Sequence, residues 1–249
     1  SNRLIQKNEV NARAALKGEP TEFKLVIAGK GLARVEVEVP FSAEERDYRE
    51  KHDLVEATST QTKLFAGRPA HSSNPEMGES AVRKMFEFVR KLPRGVALME
   101  MEGGTSFNSV PVNAFLEVDV SCSIRESTLD KIDQILREVE AIESEFQNFA
   151  DPDFDPTTPT MNIGRVRSTA QGVLLAGCCR LPPTVSHETY SQWMERLGSI
   201  CKKLGATFNV HEYKQPFRTM RSVPLLNSCE AVLRELQIQP NVTTQAVSN

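Results

Sequence analysis

Apolar residues recur along this chain at two spacings, and the switches between them mark its elements. Val35, Val37 and Val39 alternate with Glu36 and Glu38, which predicts a strand with one wet face, ended by Pro40. Apolar and alternating runs predict further strands at residues 23–27, 61–66, 96–101, 114–124, 161–166, 173–179 and 207–213. Helical spacing appears at Ala81, Met85, Phe88, Val89 and Leu92. That helix is expected to start at Asn74-Pro75, where Asn caps free amides and Pro forfeits no bond, and to stop before Pro93. Leu129, Ile132, Ile135, Leu136, Val139, Ile142 and Phe146 stripe a longer helix over residues 128–146. Ser127 is its expected cap, with Asp130 three residues on as the acidic variant of a capping box. Ser186 opens another, with Tyr190, Trp193, Met194 and Leu197 on its apolar face and Gly205 closing it. A last helix is expected over residues 224–236. Residues 41–53 are crowded with charge and read as a solvated loop or short surface helix without function. Three prolines and three aspartates within residues 151–159 mark a loop.

Strand–helix–strand–strand–helix–strand, with an extra helix in the middle, is an α+β succession of the ferredoxin-like kind: an antiparallel sheet with helices packed on one face. Such a domain leaves an edge strand and an edge helix, and both invite pairing with a second copy. A length of 249 residues suits one large domain or two ordinary ones. Hydrophobic residues at 39% and charged residues at 25% exclude pervasive disorder. A net charge of −3 is no footprint of a nucleic-acid binder. No apolar run approaches the roughly 20 residues that cross a bilayer. Neither nucleic acid nor membrane is therefore an expected partner. The first two residues, Ser1-Asn2, read as a cloning scar and are set aside.

The five cysteines are odd in number, two are adjacent, and none forms a C-x-x-C pair. Free thiols in a reducing, cytoplasmic setting are expected. Thiol catalysis at Cys178 or Cys179 is a poor reading, because nothing near them in sequence lowers a thiol pKa. The four histidines show no close metal spacing, whereas a self-contained catalytic zinc site needs about three protein ligands. The chain by itself is not expected to be a complete metalloenzyme, to bind zinc tightly or to hydrolyse anything.

One segment stands out: Gly67-Arg68-Pro69-Ala70-His71-Ser72-Ser73-Asn74-Pro75-Glu76-Met77-Gly78. A histidine between a strand end and a helix cap points out of the domain, where it can meet a ligand; taken alone, such a residue is more often a plain surface hydrogen-bonding group. Gly18-Glu19-Pro20-Thr21 and Gly29-Lys30-Gly31 precede it, and Gly103-Gly104 and Asn108-Ser109-Val110-Pro111 follow. That ordered set resembles the two-zinc metallohydrolase family of acetylornithine deacetylase, succinyl-diaminopimelate desuccinylase, aminoacylase and glutamate carboxypeptidase. Its members carry a zinc-peptidase catalytic domain interrupted by a smaller lid, or dimerisation, domain of ferredoxin-like fold. The likeness covers about residues 17–249, loosely outside the motifs.

The resemblance implies a zinc-dependent deacylase or exopeptidase acting on a small N-acyl amino acid or peptide, with two zinc ions per active site and a homodimer formed through the lid. It implies that Glu19 is a carboxylate ligand of the zinc pair. His71 would be the lid histidine that reaches into the partner's active site and donates to the scissile carbonyl oxygen. Asn108 would help hold the substrate, and an arginine would bind its carboxylate. Arg180, at a strand end in Cys178-Cys179-Arg180-Leu181-Pro182, is favoured for that role over Arg125. Each residue has a plainer alternative: a turn residue for Glu19, a bond to its own backbone for Asn108, a surface ion pair for the arginine.

The chain also departs from the family pattern. The H-x-D metal motif, bridging Asp, paired glutamates and final metal-binding His are not found. About 25 extra residues separate Gly31 from Gly67 relative to a compact lid entry, and the 128–146 helix is additional. The expectation is a lid with short flanks of a catalytic domain: residues 1–35 and 219–249 as flanks and 36–218 as the lid with its insertions. The rival is a stand-alone ferredoxin-like interaction module without catalysis.

Overall fold

The computed structural model describes residues 16–18, 21–52 and 60–245. Its elements, in chain order, are β1 (Leu25–Gly29), β2 (Gly31–Pro40), α1 (Ala43–His52), β3 (Thr60–Ala66), α2 (Ala81–Val89), β4 (Ala97–Gly103), β5 (Asn113–Asp119), α3 (Thr128–Glu145), β6 (Thr160–Ser168), β7 (Gly172–Leu181), α4 (His187–Lys203), β8 (Thr207–Lys214), β9 (Phe217–Arg218), α5 (Pro224–Glu235) and β10 (Val242–Gln245). Two compact units result, one built on residues up to Ala28 with Arg218–Thr244, the other on Gly29–Phe217. The smaller unit carries α5 and most of a three-stranded sheet in the order β10-β1-β9. The larger carries a seven-stranded sheet in the order β3-β5-β4-β6-β7-β2-β8, antiparallel at every step.

The alternation seen in β2 decides which face of the large sheet is covered. Ala33, Val35, Val37 and Val39 stand opposite Cys179, Gly177, Leu175 and Val173 of β7, and alternate side chains of a strand share a face. That face continues through Met161 and Val166 of β6, Leu98 and Met101 of β4, and Leu116 and Val118 of β5. Three helices cover it: α2 with Val82, Met85 and Phe86, α3 with Ile132, Ile135 and Leu136, and α4 with Tyr190, Trp193 and Leu197. Each such large apolar side chain, taken out of water, contributes roughly 1.5–3 kcal/mol. Trp193 also meets the rings of Phe146 and Phe149 at 5.4 and 5.2 Å and donates its indole N–H to Glu145 at 2.8 Å. The succession β3-α2-β4-β5-α3-β6, with its helices on one face, is the expected α+β arrangement; β7, β2 and β8 extend the same sheet.

Two helix starts differ from expectation. Asn74 makes no side-chain cap, and Pro75–Met77 forms only a single 3-10 turn. Gly78 is extended, and Arg68 pairs with Glu79, so the chain leaves helical geometry before Ser80 begins α2 by accepting from Arg83 N at 3.2 Å. At α3, the Ser127 hydroxyl donates to Val96 O at 2.6 Å instead of capping, and Asp130 accepts from Gly95 N at 3.0 Å. The cap comes from α1. Glu45, wholly buried within the charged run, accepts from Thr128 N at 2.9 Å and Thr128 Oγ1, and its other oxygen accepts from Leu98 N at 3.1 Å. A carboxylate there meets both the free amides and the positive end of the helix dipole.

Glu45→Ala strips three buried donors of their acceptor. It should lower stability by about 3 kcal/mol, read as a fall in the urea midpoint, whereas Glu44→Ala, at the exposed neighbouring position, should change it by less than about 1 kcal/mol.

Candidate functional site

The His71 segment leaves the end of β3 and lies alongside the segment that enters β5. Gly67 N donates to Val112 O at 2.7 Å, Val110 N to Ala70 O at 2.9 Å and Ser72 N to Asn108 O at 3.0 Å, and His71 pairs with Ser109 as an isolated bridge. Residues 67–72 and 108–112 thus zip into a short ladder in which His71 stands opposite Ser109 and Ser72 opposite Asn108. Beneath it lies β6. Asn162 donates its amide to Phe107 O at 3.3 Å and Ser109 O at 2.9 Å, and a Cβ at Gly164 would meet Ser106 O at 2.3 Å. Gly104, at φ +65°, has the matching need: its Cβ would meet Gly164 O at 2.1 Å. Only glycine at both positions lets the loop lie this close to the strand.

β7 supplies the rest. Cys178 and Arg180 point away from the helices, opposite Cys179 and Leu181. The Cys178 thiol donates to Phe107 O at 3.1 Å, and the Arg34 guanidinium stacks over the Phe107 ring at 4.2 Å. Arg180 is only 4% exposed, and its Nε and Nη1 have no hydrogen-bond partner among the described residues. The Ser72 hydroxyl, also buried, has none of ordinary geometry. Buried polar groups are rarely left this way, and a guanidinium with donors lacking acceptors suits an anion.

Residues 53–150 match the family model described as a peptidase dimerisation domain. The match covers 98 of the chain's 249 residues. The whole chain is similar in fold to aminoacylhistidine dipeptidase from Vibrio alginolyticus, at 12% identity and a TM-score of 0.57 over 91% of this chain and 53% of that one. It is also matched to the aminopeptidase PepT from Bacillus cereus, at 12% identity and a TM-score of 0.31 over 98% of this chain and 46% of that one. The chain spans about half the length of these two structures. No curated protein matches it in sequence.

The neighbours of His71 set its state. Nδ1 accepts from the backbone N–H of Ser73 at 3.2 Å and lies 2.8 Å from the Ser73 hydroxyl, which donates to Asn74 Oδ1 at 2.7 Å. An Nδ1 that accepts leaves the ring proton on Nε2, so the neutral imidazole offers Nε2–H as its free donor. Burial first, and then the Arg180 charge, hold His71 below its ordinary pKa. Arg180 therefore shares a site with His71. Arg125 does not: it lies before α3, where its backbone N–H is bound to Glu44. Asn108 accepts at Oδ1 from the Ser106 hydroxyl, which leaves its exposed NH2 group as the donating end.

The remaining candidates separate clearly. Burial raises the Cys178 thiol, offset in part by Ser72 and Arg180, and raises Cys179 strongly and Cys201 to about 11, so no reactive thiolate forms here. Among the described residues no three His, Cys, Asp or Glu side chains gather to hold a metal ion, and these residues do not fit a zinc site. Glu19 lies outside the described residues. Ser72, Asn162 and Arg34 escaped sequence reasoning, and Cys178 was weighed there only as a nucleophile. Of the first three, only Ser72, inside the conspicuous motif, carried any local signal.

Removing the Arg180 charge favours protonation of its neighbour. Arg180→Met should therefore raise the His71 pKa, measured by NMR titration of the imidazole; an unmoved titration would show that the two groups do not interact.

Proposed function

We propose that the chain serves as the lid and dimerisation part of a zinc-dependent amidohydrolase or exopeptidase, one that deacylates N-acyl amino acids or hydrolyses peptides. The reading rests on Arg180: a buried guanidinium whose Nε and Nη1 have no partner among the described residues and whose charge reaches the neutral His71. A cation with donors to spare suits the terminal carboxylate that a peptide or N-acyl amino acid carries. With that carboxylate held, His71 offers Nε2–H to the amide oxygen as negative charge grows on it, a contribution of about 3 kcal/mol for one well-placed donor. Asn108 holds the substrate through its NH2 group. Glu19 is the one zinc ligand assigned to this chain; the zinc pair otherwise belongs to the rest of the protein, with residues 36–218 as the lid and residues 1–35 and 219–249 as flanks of the catalytic domain.

In the intact enzyme, His71→Ala should lower kcat by roughly a hundredfold with KM nearly unchanged, because the donor acts on the transition state. Arg180→Met should instead raise KM, by about a hundredfold for a lost charge-assisted bond. The reverse pattern, lost stability with intact turnover, would reduce His71 to a surface cap. If His71 works across the dimer, mixing His71→Ala with a protein inactivated at its metal site should restore activity.

The dimer is assigned to the β3 edge. β3 is an end strand of the large sheet, lies within the matched dimerisation segment and exposes 77% of Leu64. An open edge of this kind pairs readily with a second copy. Leu64→Arg should shift the protein toward monomer in analytical ultracentrifugation, whereas Val210→Arg on β8, the opposite edge, should not. A mass unaffected by Leu64→Arg would move the interface elsewhere.

A further inference from the structure

Lys30 stands one residue before β2 and is wholly buried. Its ammonium donates to Pro156 O at 2.7 Å and Thr158 O at 2.8 Å, both in the loop that precedes β6, and lies 5.9 Å from the Phe154 ring centre. Burying an ammonium is costly unless bonds and opposite charges offset it. Here the charges are Glu76, Asp151 and Asp155, in that order, and burial still brings the group down to about 8. Two of the three belong to the loop held by the carbonyl bonds. Glu76 belongs to the turn immediately after His71-Ser72-Ser73-Asn74.

The same loop touches the histidine segment directly. Asn74 donates its amide to Asp155 O at 3.3 Å, the Ser73 hydroxyl donates to Asn74 Oδ1 at 2.7 Å, and Ser73 N donates to His71 Nδ1 at 3.2 Å. A second link runs from Thr160 Oγ1 to Ser72 O at 3.4 Å. Four residues thus separate a buried cation from an imidazole that it never meets.

We propose that Lys30 is a positioning residue for His71: by fixing the 151–159 loop it fixes Asn74 and Ser73, and through them the tautomer and aim of the ring. The purpose of this arrangement rests on the reading of His71 as a donor to the amide oxygen; the positioning itself does not. Lys30 touches neither the ring nor a substrate. Its charge is not among the causes that shift His71, which are burial and Arg180. The tautomer of His71, which follows what Nδ1 accepts, is the readout of that geometry.

The test uses this chain with ¹⁵N-labelled histidine and long-range ¹⁵N–¹H spectra, which distinguish the two tautomers. Wild type should show His71 with its proton on Nε2. Lys30→Met, folded by far-UV circular dichroism, should show a mixture of tautomers and a His71 titration moved up toward the ordinary value of about 6.5. Asn74→Ala should produce the same change by cutting the relay nearer the ring. Lys84→Met, which removes a lysine bonded to Ala66 O at 2.8 Å outside the relay, should leave the His71 spectrum as it is. An unchanged His71 spectrum in folded Lys30→Met overturns the proposal. If that variant does not fold, Asn74→Ala decides, and an unchanged spectrum there overturns it equally. In the intact enzyme Lys30→Met should lower kcat about tenfold at constant KM. Altered spectra with undiminished kcat would leave Lys30 as the positioning residue and refute the donor role of His71, so the two readings fail separately.

Discussion

The register between β2 and β7 is the constraint from which the rest of the larger unit follows. Ala33 faces Cys179 and Leu32 faces Arg180, and this parity assigns every side chain of both strands to a face. A slip of one residue would either turn Val35, Val37 and Val39 away from the helices or drive Arg180 toward Trp193 and Met194. The core could not form around a guanidinium, so the hydrophobic face enforces the polar one. The polar face then receives what the loops bring: Phe107 over Cys178 and Arg34, and the ladder of residues 67–72 beside Arg180.

Buried charge is handled in two ways in this fold. Glu45 meets three donors, Asp119 meets Tyr48 and Ser121, and Lys30 meets two carbonyls. These groups are satisfied within the chain and hold elements together. Arg180 is different, since two of its donors are buried without acceptors. Among the described residues Arg180 is thus the buried ion whose donors are not all met, in contrast to Glu45, Asp119 and Lys30.

Much of this was legible in the sequence where the signal was local. The alternation of Val35 to Val39, the stripe of α3 and the Ser186 cap each depend on residues within a few positions, and each appears as read. The His71 segment stood out because its motif is contiguous, and Arg180, not Arg125, is the arginine whose charge acts on it. What escaped depends on distant partners. Glu45 looked like part of a solvated run because Leu98 and Thr128, 53 and 83 residues away, decide its burial. Gly29-Lys30-Gly31 entered only as one member of the ordered motif set, since the carbonyls that bind Lys30 lie more than 120 residues on. Strands β9 and β10 are two and four residues long and carry no apolar pattern; pairing with β1 makes them strands.

The Glu45 cap has a consequence for where this domain can be cut. The segment that matches the dimerisation family begins at residue 53, after the carboxylate that closes α3, and ends at residue 150, before β6 and β7. Excised on those bounds, it would carry an uncapped helix and a sheet stripped of the strands on which Val82, Met101 and Leu116 lean. The unit recognisable by descent is thus smaller than the unit that folds, and an autonomous fragment must reach back through β2 and forward through β8. The α3 cap also closes only after a stretch of more than 80 residues has been drawn together, so its first turn must be among the later parts of the chain to become ordered.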